Sequence, residues 1–199
     1  MKKIKVNIKN KNFNYPIIIG SNIISNFNKY IKKNNLKISR YFIVVDKNVP
    51  KKMIKKIISS ITKSKITIHY FDAKENNKVQ KSVDIILDKM LKKKLTRTDC
   101  IVAIGGGITG DVTAFAASLY KRGVNFINVP TTFLSQVDSS IGGKTGVNTE
   151  YGKNLIGTFY QPNIVIIDTE FLKTLKKREI VCGYAEILKH SVIASNKFY

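Results

Sequence analysis

Apolar residues fall along the chain in short blocks of two alternating kinds. Val6 and Ile8 alternate with polar neighbours and residues 15–19 form a second apolar run, so two early strands are expected, paired as a hairpin. Tyr41-Phe42-Ile43-Val44-Val45 is continuous and ends in Asp46, the pattern of a strand buried in a parallel sheet. Met53, Ile54, Ile57, Ile58 and Ile61 then recur at the spacing of one helix face. A strand over 66–71 follows, and after it a second helical series, Val83, Ile86, Leu87, Met90, Leu91 and Leu95. The strand over 101–104 runs into Gly105-Gly106-Gly107, and the Ala-rich, Pro-free stretch 111–120 predicts a helix. Two more strands are expected over 125–129, ended by Pro130, and over 164–167, ended by Asp168. Strand and helix alternate, so the class is α/β with a largely parallel sheet. The glycine-rich stretch 139–157 breaks the alternation and reads as a functional loop region. From Lys176 the spacing turns helical, with Ala185, Leu188 and Val192 on a candidate buried stripe.

Charge adds little to this picture. The net charge is +22, from 35 Lys and Arg against 13 Asp and Glu. A nucleic-acid or membrane-surface binder would explain such a balance. However, the basic residues are nearly all Lys, with Arg only at positions 40, 97, 122 and 178, and they are dispersed along helix faces. Lys, Asn and Ile abound together, as A/T-rich codons favour, and no basic stripe is interleaved with aromatics. Biased composition is the preferred explanation, with no nucleic-acid partner. No apolar run approaches the roughly 20 residues needed to span a bilayer, and no signal core follows the charged N-terminus. Cys100 and Cys182 are far apart and form no metal-type pair. A soluble cytoplasmic protein is expected.

The chemistry-bearing residues lie in the loops. Gly105-Gly106-Gly107-Ile108-Thr109-Gly110 fits G-x-G-x-x-G between a strand and a helix. Such glycines let backbone approach a pyrophosphate, and the helix start offers free N–H groups. The acid that usually binds the ribose about 20 residues on is absent, since that region reads Asn128-Val129-Pro130-Thr131-Thr132. Asp46, at the end of an earlier strand, could hold a ribose or merely cap a turn. Gly142-Gly143-Lys144-Thr145 resembles the tail of a Walker A loop, but position 138 is Asp where that motif needs Gly. Lys144 and Lys153 could still meet a substrate phosphate or carboxylate. Gln136, Asp138, Ser139 and Ser140 concentrate hydrogen-bonding groups that suit a polyhydroxylated ligand or a polar surface loop. Glu186 and His190 share one helix face, a spacing compatible with a metal but also with an ordinary surface pair. His69, the other histidine, lies in a predicted strand.

Several stretches taken together resemble the 3-dehydroquinate synthase family. They are Gly105–Asp111, Arg122-Gly123-Val124, Val129-Pro130-Thr131-Thr132, the long run Gln136–Asn148, Gly152–Gly157, Phe159-Tyr160-Gln161-Pro162 and Gly183–Lys189. The run around Lys144 is specific to that family. The glycine loop and the Pro-Thr-Thr step are shared with iron-type alcohol and glycerol dehydrogenases. The resemblance implies a Rossmann-like NAD-binding domain over 1–175 and, over 176–199, the start of an α-helical domain for metal and substrate. It implies a lyase of the shikimate route to aromatic compounds, converting 3-deoxy-D-arabino-heptulosonate 7-phosphate to 3-dehydroquinate and phosphate. NAD would be used catalytically beside a divalent metal, zinc or cobalt, and the complete enzyme would be a homodimer. Matched by position, Asp46, Glu75, Lys78, Gly106, Gly107, Asp111, Thr131, Thr132, Lys153, Thr174 and Leu175 would line the NAD site. Asp138, Lys144, Asn154 and Lys189 would meet the sugar, Arg122 its phosphate, and Glu186 the metal. The family's other two metal ligands are histidines further along than Tyr199, so His190 is not promoted. The 199 residues alone are therefore expected to bind NAD weakly and not to turn over. An NAD-linked polyol dehydrogenase and an inactive relic are the competing readings.

Overall fold

The computed structural model describes residues 2–8, 13–62 and 64–194. Strands β1 (Lys2–Ile8) and β2 (Phe13–Gly20) form the expected antiparallel hairpin. Strands β3 (Arg40–Asp46), β4 (Lys65–Phe71), β5 (Cys100–Gly105), β6 (Asn125–Pro130) and β9 (Ile164–Asp168) join β2 in a parallel array. The order across the sheet is β1-β2-β9-β6-β5-β3-β4. From β3 the chain runs outward to β4 and then returns to β5 on the other side of β3. The reversal opens a crevice beyond the carboxyl ends of β3 and β5, where ligands collect in open α/β sheets.

Two apolar layers hold the helices on opposite faces. On β3, Tyr41, Ile43 and Val45 point into one layer, shared with Met53, Ile54 and Ile57 of α2 (Lys51–Ser60) and with Phe27, Tyr30 and Ile31 of α1 (Phe27–Lys33). Phe42 and Val44 point into the other, with Val83, Ile86 and Met90 of α3 (Gln80–Lys92) and Val112, Phe115 and Ala116 of α4 (Gly107–Leu119). The two-residue period of a strand sends neighbours to opposite faces. That is why β3 and β5 are continuously apolar, since both faces are covered.

Three details differ from the sequence expectation. Helix α4 begins at Gly107, not Asp111, so the glycine loop is itself the first turn. The region 139–157 contains a small antiparallel hairpin, β7 (Val147–Thr149) and β8 (Gly152–Ile156). Helix α5 (Lys177–Ala194) forms as expected, but Ala185, Leu188 and Val192 are exposed, and Gly183 and Ser191 make its buried contacts. Its seat is a short turn bearing Phe133, whose ring lies edge-on to Tyr184 at 5.2 Å and packs over Gly183. A seat this narrow covers one side of the first turns and leaves the apolar stripe in solvent. No helix among the described residues is long and apolar enough to cross a membrane.

Candidate functional site

The crevice at the β3–β5 reversal collects most of the residues singled out from the sequence. Gly105 ends β5 beside Pro130, and its carbonyl accepts from Thr131 N at 2.9 Å. Gly106 caps α4 without a side-chain cap bond, so N–H groups of the first turn stay available to an anion. There is no free room for a side chain at Gly105, Gly106 or Gly107. A Cβ on Gly106 would come 2.9 Å from Thr132 Cγ2, and one on Gly107 would come 2.9 Å from Ser139 Oγ. Gly105, Gly106 and Gly107 thus serve close packing and an open backbone surface at once, while Gly110 has room for a methyl.

Asp46 is buried at the end of β3, and its Oδ1 accepts from both the backbone and side chain of Asn48. Burial raises its pKa, and the Asn48 bonds oppose that rise. Of the two sequence readings the turn-capping one is realised, on one carboxylate oxygen. Next to it the segment 75–78 approaches α4. Lys78 is buried, pairs with Asp111 Oδ2 at 2.5 Å and donates to Asn154 Oδ1 at 2.6 Å. Two of the three ammonium donors of Lys78 are thus taken by protein oxygens, which leaves one for a ligand. Desolvation pushes the Asp111 carboxyl up, against the pull of Lys78. Glu75 accepts from Asn148 Nδ2 at 2.9 Å and faces Lys153 Nζ at 3.4 Å. The Asn148 bond holds its carboxyl below the usual range.

On the other side of the glycine loop, a helical turn over 135–139 and α5 bring three ligating groups together. Single ligand atoms of Asp138, Glu186 and His190 lie within 4.8 Å of one another. His190 Nε2 is 3.1 Å from Glu186 Oε1 and 3.8 Å from Asp138 Oδ1. Lys189 also pairs with Glu186, an arrangement that lowers the Glu186 pKa and raises that of Lys189. The sequence reading weighs His190 beside Glu186 and does not promote it. Its i, i+4 spacing from Glu186 was visible, but Asp138 reaches the pair only through the fold. His69 takes no part; it sits on β4 and accepts from Lys89, with its pKa lowered to about 4 by burial and by Lys89 and Lys47.

Two residues singled out from the sequence take other places in the chain. Gln136 does not offer its amide to a ligand, because its Nε2 donates to the carbonyls of Pro130 and Asp168 and ties β6 to β9. Arg122 does not join the cluster. It follows the far end of α4, a rise of about 20 Å for 13 residues from the glycine loop. Lys144 and Lys153 are exposed, on the loop after Gly143 and on β8. Thr174 and Leu175 close a short helical turn over 169–174, where the Thr174 hydroxyl donates to Phe171 O.

The comparisons with known proteins agree with this geometry. Residues 68–182, more than half of the chain, match the family described as 3-dehydroquinate synthase N-terminal. A 3-dehydroquinate synthase of Pelagibacter ubique (strain HTCC1062) is 57% identical over 197 residues, covering 99% of this chain and 53% of that protein. The chain thus spans about half the length of the curated relatives it matches. A 2-deoxy-scyllo-inosose synthase complexed with carbaglucose-6-phosphate, NAD+ and Co2+ superposes with a TM-score of 0.89 at 28% identity, over 98% of this chain and 52% of that one. A 2-epi-5-epi-valiolone synthase from Streptomyces hygroscopicus subsp. jinggangensis 5008, with NAD+ and Zn2+ bound, gives 0.82 at 30% identity, over 92% and 51%. With a matching family sequence over most of the β3–β5 crevice and a close relative along its whole length, the chain belongs to the 3-dehydroquinate synthase family.

Proposed function

We propose that the chain carries the nucleotide-binding part of a 3-dehydroquinate synthase, which converts 3-deoxy-D-arabino-heptulosonate 7-phosphate to 3-dehydroquinate and phosphate. Residues 1–175 are read as the NAD-binding domain, and the region from 176 as the start of a helical domain for metal and substrate. The observation that supports this most is the adjacency of two sites at one crevice. An uncapped helix start with no free room for a side chain at Gly106 or Gly107 lies beside a carboxylate–carboxylate–imidazole cluster.

The residues fit both groups. A pyrophosphate of NAD suits the open N–H groups at Gly106 and Gly107, and a divalent cation such as zinc or cobalt suits oxygen and imidazole donors. When bound, NAD supplies a hydride acceptor and the metal supplies Lewis acidity toward substrate oxygens. The chain's own groups do the positioning. Asp138 can accept from substrate hydroxyls, and Asn154 can both donate and accept. Lys144 and Lys189 supply positive charge for the carboxylate and phosphate of a sugar acid. The 2-deoxy-scyllo-inosose synthase neighbour holds a sugar phosphate analogue, which supports a substrate of that class.

The test is a fusion of residues 1–199 to the remaining sequence of the Pelagibacter ubique relative. Phosphate release from the heptulosonate, dependent on NAD+ and Zn2+ and without accumulating NADH, is the expected result. A folded fusion that holds NAD+ but releases no phosphate, or that oxidises glycerol and accumulates NADH, would overturn the reading. In the same fusion Gly106→Ala is expected to weaken NAD+ binding about 10-fold or more, or about 1.4 kcal/mol. The new methyl would come 2.9 Å from Thr132 Cγ2, so Thr132 or the loop must shift. Calorimetric titration with NAD+ checks it.

A further inference from the structure

Asn148 stands where two ligand-facing parts of the crevice meet. Its Nδ2 donates to Glu75 Oε1 at 2.9 Å, and its Oδ1 accepts from Asn154 N at 3.0 Å. Its own backbone N donates to Lys78 O at 2.7 Å, and it forms an isolated parallel bridge with Val79. Asn154 in turn accepts from Lys78 through its side chain. Both ends of Asn154 are therefore tied to the 75–79 segment, one of them through a single carboxamide. Asn154 also has φ of +58°, the left-handed region that Asn enters more readily than other side-chain-bearing residues.

We propose that Asn148 is a positioning residue that locks hairpin β7–β8, with Lys153 and Asn154, onto the Glu75–Lys78 segment. Cofactor-side and substrate-side groups are then set by one amide. The inference rests on the reading of Lys153 and Asn154 as ligand-contacting residues. The charged groups around Glu75 are Lys153 from β8, Lys78 on its own segment and Asp111 from α4. The Asn148 bond first, and the two lysines after it, favour the ionised form of Glu75, which suits it as an acceptor for the Asn148 amide.

The geometry permits an exchange of donor and acceptor. Asn148→Asp keeps an acceptor for Asn154 N but sets a second carboxylate against Glu75. Glu75→Gln combined with Asn148→Asp restores the contact with the amide now at position 75. The readout is the protection factor of the Asn154 amide against hydrogen exchange, measured on the full chain across pH and normalised to intrinsic rates. Asn148→Asp is expected to lose about 10-fold protection at pH 7 and to regain it as pH falls into the carboxylate range, where one of the two acids takes a proton. The double variant is expected to be protected at pH 7 with little pH dependence. A single variant with unchanged protection would overturn the proposal. So would a loss that neither acid nor the double variant repairs, because that marks simple loss of packing. NAD+ titration of the same proteins separates this inference from the functional one. If the unaltered chain within the fusion binds no NAD+, the functional reading falls, while the exchange data still decide whether Asn148 holds the hairpin.

Discussion

Asp168→Ala is expected to destabilise the chain by about 3–6 kcal/mol, the largest effect among single substitutions considered. Asp168 is fully buried at the end of β9. Its Oδ1 accepts from the backbone N of Asn22 and of Glu170, and its Oδ2 from that of Ile24, each at 2.9 Å. Bonds to an ionised acceptor contribute about 1.5–3 kcal/mol each, and removal leaves the donors unpaired. The three losses are not additive, which sets the upper bound below their sum. At about 2–4 °C per kcal/mol for a domain of this size, the midpoint should fall by about 6–24 °C. Asp168→Asn retains one oxygen for two of the donors and turns an N–H2 toward a third, so about half of the loss is expected. Thermal and urea denaturation measure both. An alanine variant within about 1 kcal/mol of the unaltered chain would show that water or local rearrangement satisfies these donors.

Lys78→Met is expected to cost about 2–4 kcal/mol. Removing one partner of a buried ion pair costs about 3–5 kcal/mol, and the figure is reduced because the Asp111 side chain keeps 20% exposure. The methionine fills the space but leaves Asp111 in a site whose desolvation already raises its pKa. Without the lysine nothing comparable opposes that rise, so the folded pKa climbs further above the unfolded one. Between the two values the folded state binds more protons, and stability falls as pH rises through that window. The defect is therefore complete above the folded pKa of Asp111 and shrinks as pH is lowered toward the unfolded carboxylate value. Urea midpoints at neutral and mildly acid pH measure it. A defect that stays constant across that range would mean that lost packing, not the stranded carboxylate, is the cause.

The elements were legible where one residue's surroundings are decided by its near neighbours. The runs in β3, β5 and β9 and the helical spacing in α2 and α3 appear in the structure close to their expected bounds. Helix α1 escaped notice because Phe27, Tyr30 and Ile31 are its only apolar contacts over seven residues. The hairpin β7–β8 has no alternation to read. It is held by contacts across the loop, such as Thr145 N with Thr158 O at 3.0 Å and Thr145 Oγ1 with the same carbonyl at 2.8 Å. Gly157 belongs to the same crossing, since a Cβ there would strike the Thr145 carbonyl. The Asp168 hub was equally hidden, since its donors at positions 22 and 24 lie at the other end of the chain.

The α/β class, the parallel sheet and the place of the glycine loop between a strand and a helix follow from the sequence by itself. Burial imposes a period of two on strands and 3.6 on helices, and those periods survive in the order of residues. The family resemblance is equally a property of the order of residues. The tertiary structure decided which residues meet. It seated His190 with Glu186 and Asp138, committed Lys78 to Asp111 and Asn154, used Gln136 to join two strands, and carried Arg122 to the far end of α4. Such pairings depend on strand order and on how helices pack across the sheet, and periodicity along the chain carries no record of either.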